Sequence, residues 1–513
     1  MREALLLKSQ IIDLMNFINT CCVLFLGMTL FSCRSTNDPD AGSITYGEPY
    51  RPAFHFSPPS GWMNDPNGMV FHDGEYHLFY QHYPDSTVWG PMHWGHAVSK
   101  DMVHWENLPI ALYPDSLGYI FSGSAVVDKE NTAGFGTLEK PALVAMFTYH
   151  DPAGEKAGRI DFQTQGIAFS TDNGRSWTKY AGNPVIPNPG IRDFRDPKLI
   201  WDAQRNSWLL TLAVADHVEF YRSADLKSWK KLSEFGKAIG NHGGVWECPD
   251  FFPMEDDRGD NQWVLLSSIN PGGPQGGSAT QYFIGSFDGT TFTSQDTVTR
   301  WIDHGADNYA GVTWSGIPET DGRRLFLGWM SNWQYAQVVP TGVWRSAMTL
   351  PRELRLARRD GVFSLDVVPA REVGSLMGTP SAANGSATLT GEKNRIDFSP
   401  EGRSFALTFS NDKGEQLMIV SGSGTVFIDR TRSGRSVVHP AFGAIHRMPA
   451  DGIGVDEVTV YLDRSSVEVF INQRSVMTDL VFPTVPYNKV VLDGGEASAF
   501  TLTPLKDIWK TTN

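Results

Sequence analysis

STDNGRSW, Ser170 to Trp177, runs Ser, one residue, Asp, a turn, then an aromatic. The same order appears in SKDMVHW (99–105), SADLKSW (223–229) and SFDGTTF (286–292). The four serines, Ser99, Ser170, Ser223 and Ser286, stand 71, 53 and 63 residues apart. A sheet-sized unit recurring at such a spacing points to propeller blades, some lengthened by insertions. The competing reading is a sandwich with four coincidental hairpins, and it leaves their common register unexplained.

Around these units lie short apolar-alternating runs: GEYHLFYQHY (74–83), PALVAMFTYH (141–150), SWLLTLAVAD (207–216) and QWVLLSSIN (262–270). Gly, Pro, Asn or Asp bounds each, which is a strand signature. Long helical periodicity is absent, so the class is all-β. Fifteen of the 16 Trp precede residue 350, and only Trp509 follows it. From about Val373 the runs RSFALTFSN (403–411), EVTVYLDRSSVEVFINQ (457–473) and ASAFTLTPL (497–505) alternate as in a β-sandwich. The expected organisation is a leader (1–33), a polar tether (34–48), a Trp-rich propeller (49–360), a linker (361–376) and a sandwich (377–513).

The chain of 513 residues is long enough for two folded units. A net charge of −14 without a basic run argues against a nucleic-acid partner. In the leader, Arg2 and Lys8 precede an apolar run, Cys21 to Phe31, ending in LFSC (30–33). That order reads as an export signal, and the Cys at its break as a bacterial lipobox with Cys33 lipidated. A plain signal cut near Ser32, or a start at Met15, are the alternatives. The run is short for a membrane span, so the only membrane contact expected is through the lipid. With Cys33 modified, Cys248 has no disulfide partner, and stability must come from the core.

WMNDPNG (62–68) sets Asp65 among five consecutive turn formers, Asn64 to Gly68, ahead of a strand beginning near Met69. Asp196 in FRDPKLIW and Glu247 in VWECPDFF occupy similar Pro-containing breaks. Taken singly, Asp65 reads as a turn residue and Asp196 as half of a surface pair with Arg195. Glu247, amid Trp, Cys and Phe, resists a surface explanation. Three such acids among many Trp favour glycoside chemistry, which needs one protonated and one ionised carboxyl group. The apolar sequence neighbours of Glu247 suit the acid. No metal centre is expected: HWGH (93–96) puts two His three apart in a strand, and neither a Cys pair, an HExxH nor an EF-hand loop is present. NPGGPQGGS (270–278) is a Pro-interrupted loop with no phosphate-binding context, and GxSxG is absent. No cofactor is expected.

WMNDPNG, FSGSAVV (121–127), FRDPK (194–198), WECPD (246–250), WMSNWQYA (329–336), WRSAMTLPREL (344–354) and DRSSVEVFIN (463–472) together resemble glycoside hydrolase family 32, the β-fructosidases. The resemblance runs from about residue 50 onward. It implies a five-bladed β-propeller followed by a C-terminal β-sandwich. It also implies retaining hydrolysis of β-fructosidic bonds in fructans (levan, inulin) or sucrose. Asp65 would be the nucleophile, Asp196 the transition-state stabiliser and Glu247 the general acid/base. Implied substrate contacts are Trp62, Asn64, Gln81, Trp89, Phe121, Ser122, Arg195 and Trp329, with Trp333 a further candidate. The implied partner is a fructan or fructo-oligosaccharide. GADNYAG (305–311) departs from the pattern, with Asn308 where many members carry Phe. The stretch 270–289 and WMSNWQYA are closer to exo-acting microbial levanases and inulinases than to plant invertases. Three alternatives stand beside this: an endo-levanase, an inverting arabinan-cleaving propeller enzyme, and a non-catalytic fructan-binding lipoprotein.

Overall fold

The four apolar runs become the second strands of four antiparallel sheets, as Glu75–Tyr83, Ala142–His150, Ser207–Val214 and Asn261–Asn270. The computed structural model describes residues 46–450, 454–494 and 498–509. The leader, Cys33 and tether residues 34–45 lie outside the described residues. Among the described residues no helix is long and apolar enough to cross a membrane.

The first strands of these sheets are Gly61–His72, Tyr119–Asp128, Phe194–Asp202 and Val245–Glu255, and a fifth sheet begins with Tyr309–Thr313. Each first strand touches the first strand of the next sheet, and the fifth touches the first. The five sheets are therefore blades around one axis. Trp344–Arg345 closes the ring by pairing parallel with Gly61–Trp62.

The Ser-x-Asp repeat is the turn between the third and fourth strands of a blade. Ser99 Oγ donates to Asp101 Oδ1 at 3.0 Å, and that oxygen accepts the Val103 and His104 N–H groups at 3.0 and 2.8 Å. Trp105 Nε1 then donates to Met102 O at 3.1 Å. Asp172 with Trp177, and Asp225 with Trp229, repeat the arrangement, and Asp288 holds Thr290 and Thr291. A short carboxylate that satisfies backbone donors locally fixes the turn. The fifth outer hairpin instead turns at Asp360-Gly361, between Arg352–Arg359 and Val362–Pro369. So five blades carry four copies of the repeat. Val362–Pro369 falls inside the stretch expected as a linker (361–376), yet it is the outer strand of the fifth blade.

Beyond the short 3₁₀ helix Arg371–Leu376, twelve strands form one hydrogen-bonded path. It folds on itself so that Leu407, Phe409 and Ile419 share a core with Ile396, Val460 and Val469. Phe405–Ser410 alternates buried and half-buried positions, as the period of two demands when one face is covered.

Buried ions join sandwich and propeller. Arg352 Nη1 meets Asp303 Oδ2 at 2.8 Å, and its Nη2 meets Glu468 Oε2 at 2.6 Å. His55 sits 2.8 Å from both Asp463 Oδ2 and Glu468 Oε1. Arg430 Nη1 meets Asp307 Oδ2 at 2.6 Å. The two ends of this body also meet: Tyr46 stacks on Trp509 at 4.1 Å, and Trp509 Nε1 donates to Pro52 O at 2.7 Å.

Candidate active site

NDPNG is part of a strand, although its composition predicts a turn. In Gly61–His72, Met63 faces His82 and Pro66 faces Tyr80, so Asn64 and Asp65 together oppose Gln81 alone. Two residues against one is a β-bulge, which bends the strand and re-aims a side chain. A second bulge follows at Gly68-Met69. Gly68 has φ +51°, and a Cβ there would lie 2.7 Å from both Phe79 and Trp94.

Every blade repeats the first bulge at the same height. Phe121-Ser122 oppose Thr148, Asp196-Pro197 oppose Leu212, Cys248-Pro249 oppose Ser267, and Ala310-Gly311 oppose Gly328. Pro is tolerated there because the interrupted ladder does not need its missing N–H. In the third, fourth and fifth blades the first bulge residue is left-handed, with φ +64° at Asp196, +45° at Cys248 and +53° at Ala310. Each such non-glycine conformation costs about 1–3 kcal/mol, which the surrounding ring must hold.

The bulges bring the three acids to one place on the axis. Asp65 Oδ2 accepts from Ser122 Oγ at 2.6 Å, and Oδ1 from Asn64 Nδ2 at 2.9 Å. The Asn64 carbonyl oxygen is itself fixed by Trp62 Nε1 at 2.7 Å. Cys248 bridges two acids: its thiol donates to Asp65 Oδ2 at 3.4 Å, and its N–H donates to Asp196 Oδ2 at 2.9 Å. Glu247 Oε1 accepts from Arg195 Nε and Nη2 at 3.0 and 2.9 Å, and Oε2 accepts the Tyr309 hydroxyl. Arg195 Nη1 is held by Asp193 Oδ1 at 2.6 Å.

Just below, Lys198 Nζ meets Asp250 Oδ2 at 3.1 Å and Thr313 O at 2.6 Å, and Asp250 also accepts the Thr313 N–H at 2.7 Å. Both charged side chains are buried. A cavity of only about 10 Å³ remains there, lined by Lys198 and Asp196 together with Pro66, Ser122, Cys248 and Val312. The axis is plugged at that level.

Burial, then the charge of Glu247, pushes the Asp65 carboxyl up, while donors from Ser122, Asn64 and Cys248 pull it back. Burial also lifts Asp196, to about 7; Arg195 opposes this, and the charges of Glu247 and Asp65 add to it. Burial and the charges of Asp196, Asp65 and Glu247 raise the Cys248 thiol far above its usual value, so it stays a neutral donor. Arg195 remains a cation: burial lowers it, but Glu247, Asp196 and Asp193 more than compensate.

The molecule matches the family model for the glycosyl hydrolases family 32 N-terminal domain over residues 55–365, and that for the family 32 C-terminal domain over 372–505. The chain belongs to glycoside hydrolase family 32. A levanase of Bacillus subtilis is 47% identical over 514 residues, covering 94% of this chain and 74% of its own. A levanbiose-producing levanase of the same organism is 36% identical over 524 residues, covering 95% and 98%. The crystal structure of an exo-inulinase from Aspergillus awamori superposes with a TM-score of 0.82 at 36% identity, covering 90% of this chain and all of that one.

Of the sugar contacts implied by the sequence, this family 32 site gathers Asn64, Ser122 and Arg195 directly around the acids. Gln81, opposite the first bulge, donates to Ile120 O at 3.0 Å and so braces the strand carrying Phe121 and Ser122. Phe121 stacks on His150 at 4.3 Å. Trp62 and Trp329 are fully buried, packed on one another and on Trp333 at 5.8 and 5.0 Å. Their faces are covered, whereas Trp333 is half-buried and Trp89, edge-on to Phe121, is exposed. Asn308 points away, its Nδ2 donating to Asp303 Oδ2 at 3.2 Å.

His93 and His96 do not meet, since His96 pairs with His77 at 3.1 Å and His93 with Pro91 O at 2.9 Å. The apolar surroundings expected for Glu247 are also not what its carboxylate meets, because Arg195 and Tyr309 face it. Tyr309 and the Cys248 bridge were missed in the sequence. Their partners lie 52 and 62 positions away, Asp196 for the Cys248 N–H and Glu247 for Tyr309, so no local pattern pointed to them.

Proposed function

We propose that this chain is a retaining β-fructosidase that removes fructose units from the ends of fructans. The observation that carries the reading is the convergence of Asp65, Asp196 and Glu247, from three blades, on one axis closed from below. Glu247 protonates the glycosidic oxygen as the bond to the fructosyl anomeric carbon breaks. Asp65 attacks that carbon, giving a fructosyl ester. Glu247 then takes a proton from water, the water attacks the same carbon, and Asp65 leaves with fructose released. Asp196 accepts hydrogen bonds from fructose hydroxyls, which strengthen as positive charge grows on the ring. Asn64 and Ser122 orient Asp65, and the open faces of Trp89 and Trp333 receive sugar.

The Lys198–Asp250 plug favours exo-action, because a pocket stopped at its base admits a chain end more readily than a chain middle. The loop 271–278 supports this by forming a fixed wall: Gln275 Nε2 donates to His304 O and Arg447 O at 2.8 and 2.7 Å, and Ser278 Oγ accepts the Trp333 N–H at 3.0 Å. The remainder of the expected loop, Ala279–Phe287, is strand. The likeness to a levanbiose-producing levanase supports a second reading, release of disaccharide or longer products.

Levan, inulin and sucrose incubated in parallel, with chromatography in the first minutes, test both. Fructose alone from the outset is expected. An immediate ladder of oligosaccharides overturns exo-action, inversion at the anomeric carbon by NMR overturns the nucleophile, and no hydrolysis leaves a binding protein. The export reading is part of the proposal: lipidation of Cys33 would hold the enzyme at a membrane facing the periplasm or the exterior. Labelling by a palmitate analogue, abolished in C33A, is the check.

A further inference from the structure

On the third blade, away from the acids, His217–Ser223 and Lys230–Phe235 pair antiparallel, with Glu219 directly opposite Glu234. His217 and Glu219 are two residues apart and so share a face with that pair. We propose that His217, Glu219 and Glu234 form a binding site for a divalent transition-metal ion of the zinc type.

One donor atom from each of the three lies within 4.8 Å of the others. His217 is only 8% exposed, and neither ring nitrogen has a hydrogen-bond partner. A buried imidazole without a partner is costly unless something occupies it. Its Nε2 stands 3.9 Å from Glu219 Oε1 and 4.0 Å from Glu234 Oε2. Those separations are too long for hydrogen bonds, and a modest contraction brings the three donors around one ion. Three protein ligands with a fourth position left to water suit tetrahedral zinc. One nitrogen and two oxygens are a poor set for calcium, which takes six to eight oxygens.

The supporting groups fit. The Tyr221 hydroxyl donates to Glu219 Oε2, leaving Oε1 for the ion. The cationic role is taken by Lys231, whose ammonium touches Glu219 Oε1 and lies 3.3 Å from Glu234 Oε2. Its side chain is 44% exposed, so the head can swing into water as an ion enters. The site also bears on the rest of the blade. Ala215, two residues before His217, receives the Trp246 N–H at 2.8 Å and donates to Asp193 O at 2.9 Å. An ion here stiffens the turn between Ser207–Val214 and His217–Ser223, to which the backbones of Asp193 and Trp246 are hydrogen-bonded.

Isothermal titration of the chelator-treated full chain with zinc chloride is the test, with magnesium and calcium in parallel. Zinc is expected to bind at one site per chain and to raise the melting temperature, whereas magnesium and calcium do neither. K231M, which removes the competing ammonium, is expected to bind about tenfold tighter. H217A, or E234Q should that variant fail to fold, is expected to bind at least about tenfold weaker. D65N must bind as the wild type does, which separates this site from zinc at the catalytic acids. No zinc binding, unchanged binding in H217A and E234Q, or loss in D65N overturns the proposal.

Discussion

Arg195 places Nε and Nη2 at 3.0 and 2.9 Å from one oxygen, Glu247 Oε1, while Nη1 is tied to Asp193. The guanidinium thus aims the carboxylate proposed to give and take the proton. Lysine has one ammonium and cannot span these partners. R195K is expected to fold normally and to lose roughly 10²-fold or more in kcat, the scale of a misdirected acid/base. A near-normal kcat with an unchanged pH profile would remove Arg195 from this role.

The two chemical carboxylates separate by rescue. D65N should lose turnover by several orders of magnitude, with its melting temperature kept. E247A should regain cleavage of a fructoside with a good leaving group when azide is added, because azide needs no base. A fructosyl azide product, identified by mass, is the readout. A folded D65N with wild-type activity contradicts the nucleophile assignment.

Asp196 carries a charge that the fold resists. Its carboxyl is pushed from 3.8 up to about 7, by burial first. The folded chain therefore keeps a proton that the unfolded chain has released across that window, and stability falls as pH rises through it. D196N removes the conflict. Its melting temperature should match the wild type near pH 4 and exceed it at pH 8, while its activity is lost. Equal differences at both pH values would count against this account.

His55 shows the opposite sign. Burial lowers it, but Asp463 and Glu468 carry it up to about 9. Its stabilisation is complete below 6.5 and disappears as pH rises through about 9. H55Q takes the buried cation from Asp463, while Glu468 keeps Arg352, and should cost about 3–5 kcal/mol at pH 6. Denaturant titrations at pH 6 and pH 10 should show the gap to wild type closing at the higher value.

The legible parts of this fold are those decided locally. The second strands announce themselves as short apolar runs bounded by Gly, Pro, Asn or Asp, buried on both faces in the fold, and the Asp101, Asp172, Asp225 and Asp288 turns by their own capping. The bulges do not, because Asn, Asp, Pro and Gly signal a turn until the neighbouring strand shows two residues lying over one. The fifth blade was indistinct because its outer hairpin lacks the Ser-x-Asp cap, which made Val362–Pro369 look like a linker.

Glu247 was misjudged for a related reason. In a strand, sequence neighbours point to opposite faces, so the Trp246 ring stacks on Phe283 and His242 while the Glu247 carboxylate meets Arg195 and Tyr309. The His55–Asp463 contact joins residues 408 positions apart, and no local signal could carry it. The three acids themselves stood out by their Pro-containing breaks and took their roles from the family resemblance, while their mutual wiring through Cys248 and Tyr309 required the closed ring.

The stack of Tyr46 on Trp509 gives the molecule a clock. A nascent chain made as far as Trp301 already contains every carboxylate of the site, but the strand that closes the ring, Trp344–Arg345, has yet to be synthesised. The clasp at Trp509 comes later still. Hydrolytic competence therefore waits for the strand that closes the ring, well after the last acid of the site has been made. Regain of activity during refolding should trail the recovery of strand content, and enzyme assays will report completion of the ring where spectroscopy reports only its parts.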